Sequence, residues 1–494
     1  MSFLGPSERP AAPAAPAMVR PGGGVARPGR WARFSLRLSE RKMLLYAGDI
    51  LMINAALLVT LATRMQRPLG WQTITDHPGW FVLLIGTWVA CAPLLNTYDL
   101  RSAADVSTGV AASAGTAAIV CLIYLFTPYI TPPLLTSRLT AFTFGGLAIA
   151  FTTVWRAAYA GLLIQPSFRH RAIIVGAGWA GRTVADALTV HAATEYDLAG
   201  FIDDDPARQD DLVAGLPVVG TSLDLVDVVR ARGVSEVIVA VTHHETLAAR
   251  LVQALLACHE LGVQITMMQT AYERLTGKIP VEHTGNNLHI VLPTDRDSNR
   301  LYLLTKRTAD ITVGLLGSLI ALAVLPLAAL AIRIESSGPI LYRQVRVGRG
   351  GRTFTLFKLR TMVQHAEPNG PQWAKETDDR VTRVGRVLRR LHLDELPQAL
   401  NLLRGEMSFV GPRPERPKFV AELEDVIPFY RARHAMRPGI TGWAQVNYRY
   451  GRSVEDALIK LQYDLYYVKH ASLLLDAVIL VRTLALVLTL RDQP

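Results

Sequence analysis

Four apolar stretches crowd the first third of the chain: Met43 to Thr63, Trp80 to Asn96, Gly109 to Ile130 and Thr140 to Ile164. Each is close to the roughly 20 residues with which a helix crosses the hydrocarbon core of a bilayer. Runs of this length demand a lipid-embedded fold, because backbone facing lipid must satisfy its own hydrogen bonds and a helix does so within one segment. The four are read as transmembrane helices. The second run is short and holds Pro93, so a re-entrant or interfacial helix stays open in its place. Arg27, Arg30, Arg33, Arg37, Arg41 and Lys42 precede the first run, and Arg169 and Arg171 follow the fourth. Basic flanks stay on the cytoplasmic side, so both ends of this module are expected there.

Half of the 494 residues are hydrophobic and 19% are charged, with the charge in blocks between apolar runs, a distribution foreign to soluble enzymes. The formal charge of +11 suits contact with anionic headgroups and anionic substrates. Nucleic acid is set aside as a partner, because no finger spacing, RNP-like aromatic motif or basic helix with interleaved aromatics is present. Cys91, Cys121 and Cys258 stand far apart, the first two within apolar runs, which argues against a disulfide framework or a zinc site and for a reducing compartment. Residues 1–40 read as a disordered basic tail rich in Pro, Ala and Gly, with no apolar core directly after an early basic patch to make a signal peptide.

From residue 169 to 298 the pattern changes. Short apolar runs, Arg171 to Val175, Leu198 to Ile202 and Glu236 to Val241, alternate with helical patterns such as Glu245 to Leu261, the signature of a βαβ sheet. Gly176, Gly178 and Gly181 spell GxGxxG after the first of these runs, and Asp203 closes the second. In that context the glycines can let the backbone approach a pyrophosphate while the carboxylate holds a ribose hydroxyl. The same turn can serve only close helix-to-strand packing, and both readings stay open. Tyr302 and Lys306 form a Tyr-x-x-x-Lys pair of the kind that short-chain dehydrogenase-like enzymes use for proton transfer. Here it stands at the mouth of another apolar run, Ile311 to Ile332, and not on a helix beside a nucleotide sheet, so it is read as a juxtamembrane coincidence.

Beyond that run, interrupted by Pro326, lies a basic segment, and then a last apolar run, Ser472 to Leu490, containing Asp476 and Arg482. Two charges there argue for a packed or surface-lying helix and not a further span. Within the basic segment, Asp394 and Glu395 stand adjacent between Arg389 and Arg413. Neighbouring carboxylates among arginines suit phosphate chemistry with a divalent ion, one attacking phosphorus and the other holding Mg²⁺, while the arginines neutralise the diphosphate. From composition alone, a solvated helix face laced with ion pairs has equal standing.

The motifs Leu393-Asp-Glu-Leu-Pro-Gln398, Ser408-Phe-Val-Gly-Pro-Arg-Pro414, Arg437-Pro-Gly-Ile-Thr-Gly-Trp-Ala-Gln-Val446 and Leu461-Gln-Tyr-Asp-Leu-Tyr-Tyr467 occur in this order. They resemble the bacterial sugar transferase family, the monotopic polyprenyl phosphate hexose-1-phosphate transferases. The whole layout resembles the exopolysaccharide-initiating branch. That resemblance implies a two-step reaction: Asp394 attacks the β-phosphorus of a UDP-sugar, releases UMP and forms a sugar-phosphoryl aspartate, which undecaprenyl phosphate then attacks. Glu395 matches the metal-binding partner, and Arg389 and Arg413 match phosphate-holding arginines. Lys358 and Arg360 lie in the family's Lys-x-Arg-x-Met motif, and contact with lipid headgroups or a structural role are alternatives for them. Thr441, Gln445 and Tyr463 are candidates for the sugar or uridine side. Pro326 matches the proline at the break of a helix that enters and leaves by one membrane face; Leu325 stands where a common pattern has Ser, which removes a hydroxyl but not the expected kink.

The expected architecture is therefore a membrane α/β protein: a transmembrane module at 41–168, a Rossmann-like cytoplasmic domain at 169–298, and a monotopic α+β catalytic domain with a re-entrant membrane helix at 299–494. The resemblance further implies Mg²⁺ as cofactor, glucose 1-phosphate as leading donor fragment, a homodimer, downstream exopolysaccharide glycosyltransferases as partners, and the bacterial inner membrane as location. Two rivals remain from other classes, an NAD(P)-dependent nucleotide-sugar dehydratase or reductase and a non-catalytic scaffold for polysaccharide export.

Overall fold

The computed structural model describes residues 38–95, 97–98, 106–127, 130–134, 137–163, 169–193, 195–209, 211–241, 249–283, 291, 300–364, 380–448 and 453–488. Most of the expected N-terminal tail and the link at 292–299 lie outside the described residues.

Three of the first four apolar runs form helices long and apolar enough to cross a bilayer, Met43–Met65, Val106–Leu125 and Arg138–Gly161. The second forms the 14-residue helix Pro78–Cys91 and then tightens into the 3₁₀ turn Ala92–Leu95. As an α-helix it reaches only about 21 Å, so it is the short one of the four, as the sequence reading left open. Pro93 has no N–H to give to the α-helical ladder, and the helix ends just before it, at Cys91. The short helix still packs into the core of the module, where Leu84 and Trp88 meet Leu45, Ile53, Leu57, Val120 and Phe144. Asp49 and Arg156, each inside an apolar run, are almost fully buried and pair with each other, Arg156 Nε donating to Asp49 Oδ1 at 3.2 Å. Charges at this depth persist only when paired.

The middle of the chain folds into a parallel sheet of β1 (His170–Val175), β2 (Tyr196–Ile202), β5 (Glu236–Val239) and β6 (Gln264–Met267), in the order β2-β1-β5-β6. A short antiparallel pair, β3 (Leu212–Val213) and β4 (Leu216–Pro217), precedes β5. Strand side chains alternate between faces. Ala172 and Ile174 pack beneath the helices Trp179–Ala192 and Met268–Thr276, whereas Ile173 and Val175 pack against Leu225, Val229 and Leu251 from the helices on the other face. Both faces are covered, as a buried parallel sheet requires.

The third part is built on a 36-residue helix, Arg300–Glu335, the fourth element long and apolar enough to span. Its helical assignment carries on through Pro326. One side is apolar and exposed, with Leu315, Leu316, Leu319, Leu322, Leu327 and Leu330 each more than half exposed. The other side packs along its whole length on one body. Near its start Lys306 donates to Asp476 at 2.7 Å and to Tyr467 at 2.9 Å, and Tyr302 donates to Asp476 at 3.1 Å. Asp310 accepts from Ser408 Oγ and from the Phe409 amide. At its end Glu335 accepts from the Arg383 and Val384 amides and so caps the next helix, Arg383–Arg390. The body itself contains the antiparallel hairpin of β7 (Leu341–Val347) and β8 (Thr353–Leu359), the parallel pair β9 (Ser408–Val410) and β10 (Gly439–Thr441), and the helices Val454–His470 and Leu473–Leu488.

Asp476 thus buries itself against Lys306, which is why the last apolar run packs as its two charges led one to expect. Tyr302 and Lys306 belong to this tether. The sheet domain docks on the same body: Lys469 and His470 reach Glu273, Gln462 reaches Glu282, and the Trp443 indole donates to the Gly277 carbonyl at 2.9 Å.

Removing one partner of a buried ion pair leaves a charge without compensation, at about 3–5 kcal/mol. Asp476→Ala is therefore expected to lower the thermal unfolding temperature of the detergent-solubilised protein sharply, and Asp476→Leu combined with Lys306→Met to recover part of the loss.

Candidate active site

Asp394 and Glu395 owe their position to a change of backbone between two helices. The Arg383–Arg390 helix begins at Thr382, whose hydroxyl accepts from the Gly385 amide, and ends as His392 turns left-handed at φ 53°. The chain then enters a 3₁₀ turn, Leu393–Gln398, with Pro397 inside it, before the short helix Ala399–Arg404. Pro397 and Gln398 are buried and Leu393 packs on Ala328, Ile332, Leu359 and Leu388, so the turn is anchored beside the long helix. Gly405 caps the short helix in a left-handed conformation, and Arg307 donates to the Leu402 and Leu403 carbonyls, satisfying groups left open at a helix end.

Three separate segments bring cations to this turn. Lys358, from β8, donates to Glu395 Oε1 at 2.8 Å, and Arg413, from the irregular stretch after β9, donates to the same oxygen at 3.2 Å. Arg389 donates through Nε to Thr361 at 2.9 Å and adds its positive charge to the field on Asp394. Asp394 itself is buried, 7% exposed.

Burial works against ionisation of both carboxylates, and the two respond in opposite directions. For Glu395 burial is the largest influence and would raise the pKa, but Lys358 and Arg413 together with the Lys358 hydrogen bond overcome it and hold the carboxyl well below the usual carboxylate range. For Asp394 burial dominates, opposed by Lys358 and reinforced by the Glu395 charge, so its pKa lies above that of an ordinary aspartate. Neighbouring carboxyls driven apart in this way are suited to different tasks. Among the described residues no group of three or more His, Cys, Asp and Glu side chains is placed to hold a metal ion. The pair nonetheless fits Mg²⁺, which commonly takes one or two carboxylates and leaves further positions to substrate phosphates and water; both described cationic contacts fall on Glu395 Oε1, and among the described contacts none engages the other oxygens.

The remaining candidates lie elsewhere. Arg360 is buried and donates to the Ser336 and Ser337 carbonyls and the Ser336 hydroxyl, so it fastens the end of the long helix. Thr441 bonds Thr483 of the last helix at 2.7 Å, and Gln445 donates to the Ile440 carbonyl. Tyr463 takes the Lys278 ammonium over its ring at 5.0 Å. Among the described contacts none links these three to Asp394 or Glu395. Pro326 lies in the long helix, one residue from Leu325, which packs beside Leu393.

In the sheet domain the glycine turn is closed on itself. Gly176 has φ 101°, and a Cβ on Gly181 would stand 1.9 Å from the Gly176 carbonyl oxygen, so this helix approaches the strand as only glycine permits. Asp203 accepts from the Ala177 amide at 2.6 Å and from Arg208 at 3.3 Å. A Cβ on Gly178 would lie 3.4 Å from the Arg208 guanidinium, so that cation sits over the turn where a phosphate would approach.

The sequence reading missed Thr361, Glu335 and Asp310, which hold the site's scaffold, and the buried pair of Arg433 with Asp464 at 2.7 Å. Asp464 lies within one of the recognised motifs, but no local signal joins it to a residue 31 positions away.

This arrangement sets two adjacent carboxylates among fixed cations on a body built against a long apolar helix. A family model described as bacterial sugar transferase matches residues 301–490, and one described as CoA-binding domain matches residues 93–268. A UDP-N-acetylgalactosamine-undecaprenyl-phosphate N-acetylgalactosaminephosphotransferase of Aeromonas hydrophila is 39% identical over 255 residues, 51% of this chain and 59% of that protein. An undecaprenyl-phosphate glucose phosphotransferase of Komagataeibacter xylinus is 42% identical over 42% of this chain and 40% of its own length. A UDP-glucose:undecaprenyl-phosphate glucose-1-phosphate transferase of Caulobacter vibrioides is 46% identical over 190 residues, 38% of this chain and 70% of that protein. The chain belongs to the bacterial sugar transferase family. The matches span about half the length of the first two relatives.

Because the Asp394 pKa is raised, its ionised form costs stability, and that cost grows as pH rises through the interval above the ordinary aspartate value. Asp394→Asn is expected to unfold at a higher temperature than wild type at pH 7, with the advantage vanishing as pH falls below the usual aspartate range. Glu395, with its depressed pKa, contributes stability that is present at neutral pH and lost progressively as pH falls below the ordinary glutamate value toward the depressed one; Glu395→Gln is expected to lower the unfolding temperature at pH 7.

Proposed function

We propose that this protein transfers a hexose 1-phosphate from a UDP-sugar to undecaprenyl phosphate in two steps, the opening reaction of exopolysaccharide assembly. A carboxylate oxygen of Asp394 attacks the β-phosphorus, the bond from that phosphorus to the bridging oxygen breaks, and UMP leaves with the electron pair. An oxygen of the lipid phosphate then attacks the same phosphorus, and the Asp394 carboxylate departs, regenerating the enzyme and yielding a lipid-linked diphosphosugar. The observation that carries this reading is the unlike condition of the two neighbours: Glu395 is clamped as an anion by Lys358 and Arg413, while among the described residues Asp394, buried beside it, makes no such ion pair. A carboxylate stripped of water and left without a strong partner is a better nucleophile than one already bonded. Arg413, Arg389 and Lys358 supply fixed positive charge where the diphosphate and the charge developing on UMP would lie. Glu395 with Asp394 would hold Mg²⁺, which supplies charge neutralisation of the phosphates when bound.

The lipid acceptor agrees with a site built against an apolar helix. A straight 36-residue helix is about 54 Å long, and one crossing a bilayer would carry its two ends to opposite faces. Here residues 302–310 and residue 335 bond to the same body, which supports a helix that enters and leaves by one face, on the cytoplasmic side with the basic flanks. A bacterial inner-membrane location, a homodimer and hand-over to downstream glycosyltransferases complete the reading. Glucose 1-phosphate remains the leading donor fragment, with N-acetylgalactosamine as the competitor, since the relatives' names divide between these sugars. A nicotinamide-dependent reductase is disfavoured because Tyr302 and Lys306 are engaged with Asp476 and Tyr467. Asp203, already bonded to Ala177 and Arg208, leaves nucleotide binding by Gly176, Gly178 and Gly181 as a separate proposal that requires Arg208 to move.

The test is UMP release from UDP-glucose and UDP-N-acetylgalactosamine by the purified full chain with Mg²⁺ and undecaprenyl phosphate. Wild type is expected to release UMP and Asp394→Asn to lose at least roughly a thousandfold in kcat; equal release by the two proteins rejects Asp394 as nucleophile, and no release with any UDP-sugar favours the scaffold. The acid limb of the kcat/KM profile is expected to have its midpoint above the ordinary aspartate pKa, since Asp394 must ionise to attack.

A further inference from the structure

The geometry points to Arg433 and Asp464 as positioning residues that act through Arg413, an inference resting on the transfer reaction just proposed. Arg413 lies in an irregular stretch between β9 and the helix Pro417–Glu424. Pro412 and Pro414 flank it, and neither has an N–H to donate. A segment so short of donors has to be held by its carbonyls. Each of the four in succession has a partner: Pro412 O accepts from the Gly439 amide at 2.9 Å, Arg413 O from Arg433 Nη2 at 2.9 Å, Pro414 O from Arg346 Nη1 at 2.7 Å, and Glu415 O from the Val347 amide at 2.9 Å.

Of these anchors, Arg433 bears directly on the residue that reaches Glu395. Its guanidinium is buried, 6% exposed, and its orientation is set from two sides: Nη2 also donates to Asp464 Oδ2 at 2.7 Å, and Nη1 donates to the Tyr430 hydroxyl at 2.8 Å. Asp464 is 2% exposed and belongs to the Val454–His470 helix, which Ser453 and Asp456 fix through a capping box. The order of support therefore runs from this helix through Asp464 and Arg433 to the Arg413 backbone, and from the Arg413 guanidinium to Glu395. Nη2 serves both the Asp464 carboxylate and the Arg413 carbonyl while Nη1 holds Tyr430, a fixed planar fork that the shorter, flexible stem of a lysine ammonium does not reproduce. That difference makes Arg433→Lys the informative change, since it keeps the buried charge and loses the fork.

Loss of a charged hydrogen bond to the Arg413 carbonyl is expected to lower kcat/KM for the UDP-sugar by roughly tenfold to a hundredfold, with the loss showing in donor KM as much as in kcat. Asp464→Asn is expected to lose activity in the same sense and Asp464→Glu to retain more of it. Arg346 lies nearer the surface, and Arg346→Gln, which frees the next carbonyl, gives a second variant if the Arg433 substitution does not fold. The deciding measurement is a double-substitution cycle. In an Arg413→Ala background, Arg433→Lys, or Arg346→Gln in its place, is expected to change kcat/KM by less than about threefold, because a residue that works only through Arg413 has nothing left to position. Losses that multiply in full would show a general structural role and overturn the inference while leaving the transfer reaction intact. Wild-type UMP release that does not depend on Asp394 would instead overturn the transfer reading, and this inference with it.

Discussion

The ion pair between Lys306 and Asp476 joins the first helix of the catalytic body to its last, and the rest of that body is enclosed between them. Tyr302 and Tyr467 share the Asp476 carboxylate, so four polar side chains are satisfied at one buried point. In a protein with one flank in lipid, such a point limits how the long helix can rotate: turning it about its axis would bury Leu319 and Leu322 against the body and expose Lys306 and Asp310 to lipid. The apolar side and the polar tethers therefore specify one orientation together. Specificity of this kind, more than net stability, is what buried polar groups can contribute when every member is satisfied.

That orientation matters for chemistry because the turn carrying Asp394 and Glu395 rests on the same helix, through Leu393 against Ala328 and Ile332. Charge is then distributed unequally over two adjacent carboxyls by elements that come from opposite directions, β8 with Lys358 and the proline-flanked stretch with Arg413. Desolvation acts on both residues. The cationic contacts fall on one of them, and that inequality drives the two carboxyls in opposite directions, Glu395 toward a firmly held anion and Asp394 toward its neutral form.

The glycine turn of the sheet domain makes the complementary point that a motif and its ordinary use can part company. Gly181 allows the helix to approach the strand, as the pattern demands, but the Ala177 amide is already given to Asp203 and Arg208 lies over the turn. The same is true of Tyr302 and Lys306, whose spacing suggests proton transfer and whose surroundings make a tether. In each case the local string is correct and the neighbours that decide its meaning come from other parts of the chain.

The sequence by itself determined the long apolar helices, the alternation of strands and helices from residue 170 onward, the two charges that set the last apolar run apart from the others, and the adjacency of Asp394 and Glu395 among arginines. These are properties of local periodicity, composition and spacing, which a linear reading captures. It read the second apolar run as a short span or an interfacial helix on account of Pro93, and the structure gives that run a 14-residue helix ending just before the missing donor. It could not separate Lys358, which grips Glu395, from Arg360 two residues later, which fastens a helix end, since such positions share one face of a strand and only the end of β8 at Leu359 sets Arg360 apart. Only the tertiary structure decided which arginine meets which carboxylate, because Arg433 with Asp464, Asp49 with Arg156 and Lys306 with Asp476 are joined across long stretches of chain by burial, and the cost of an unpaired charge away from water is what makes each pairing obligatory.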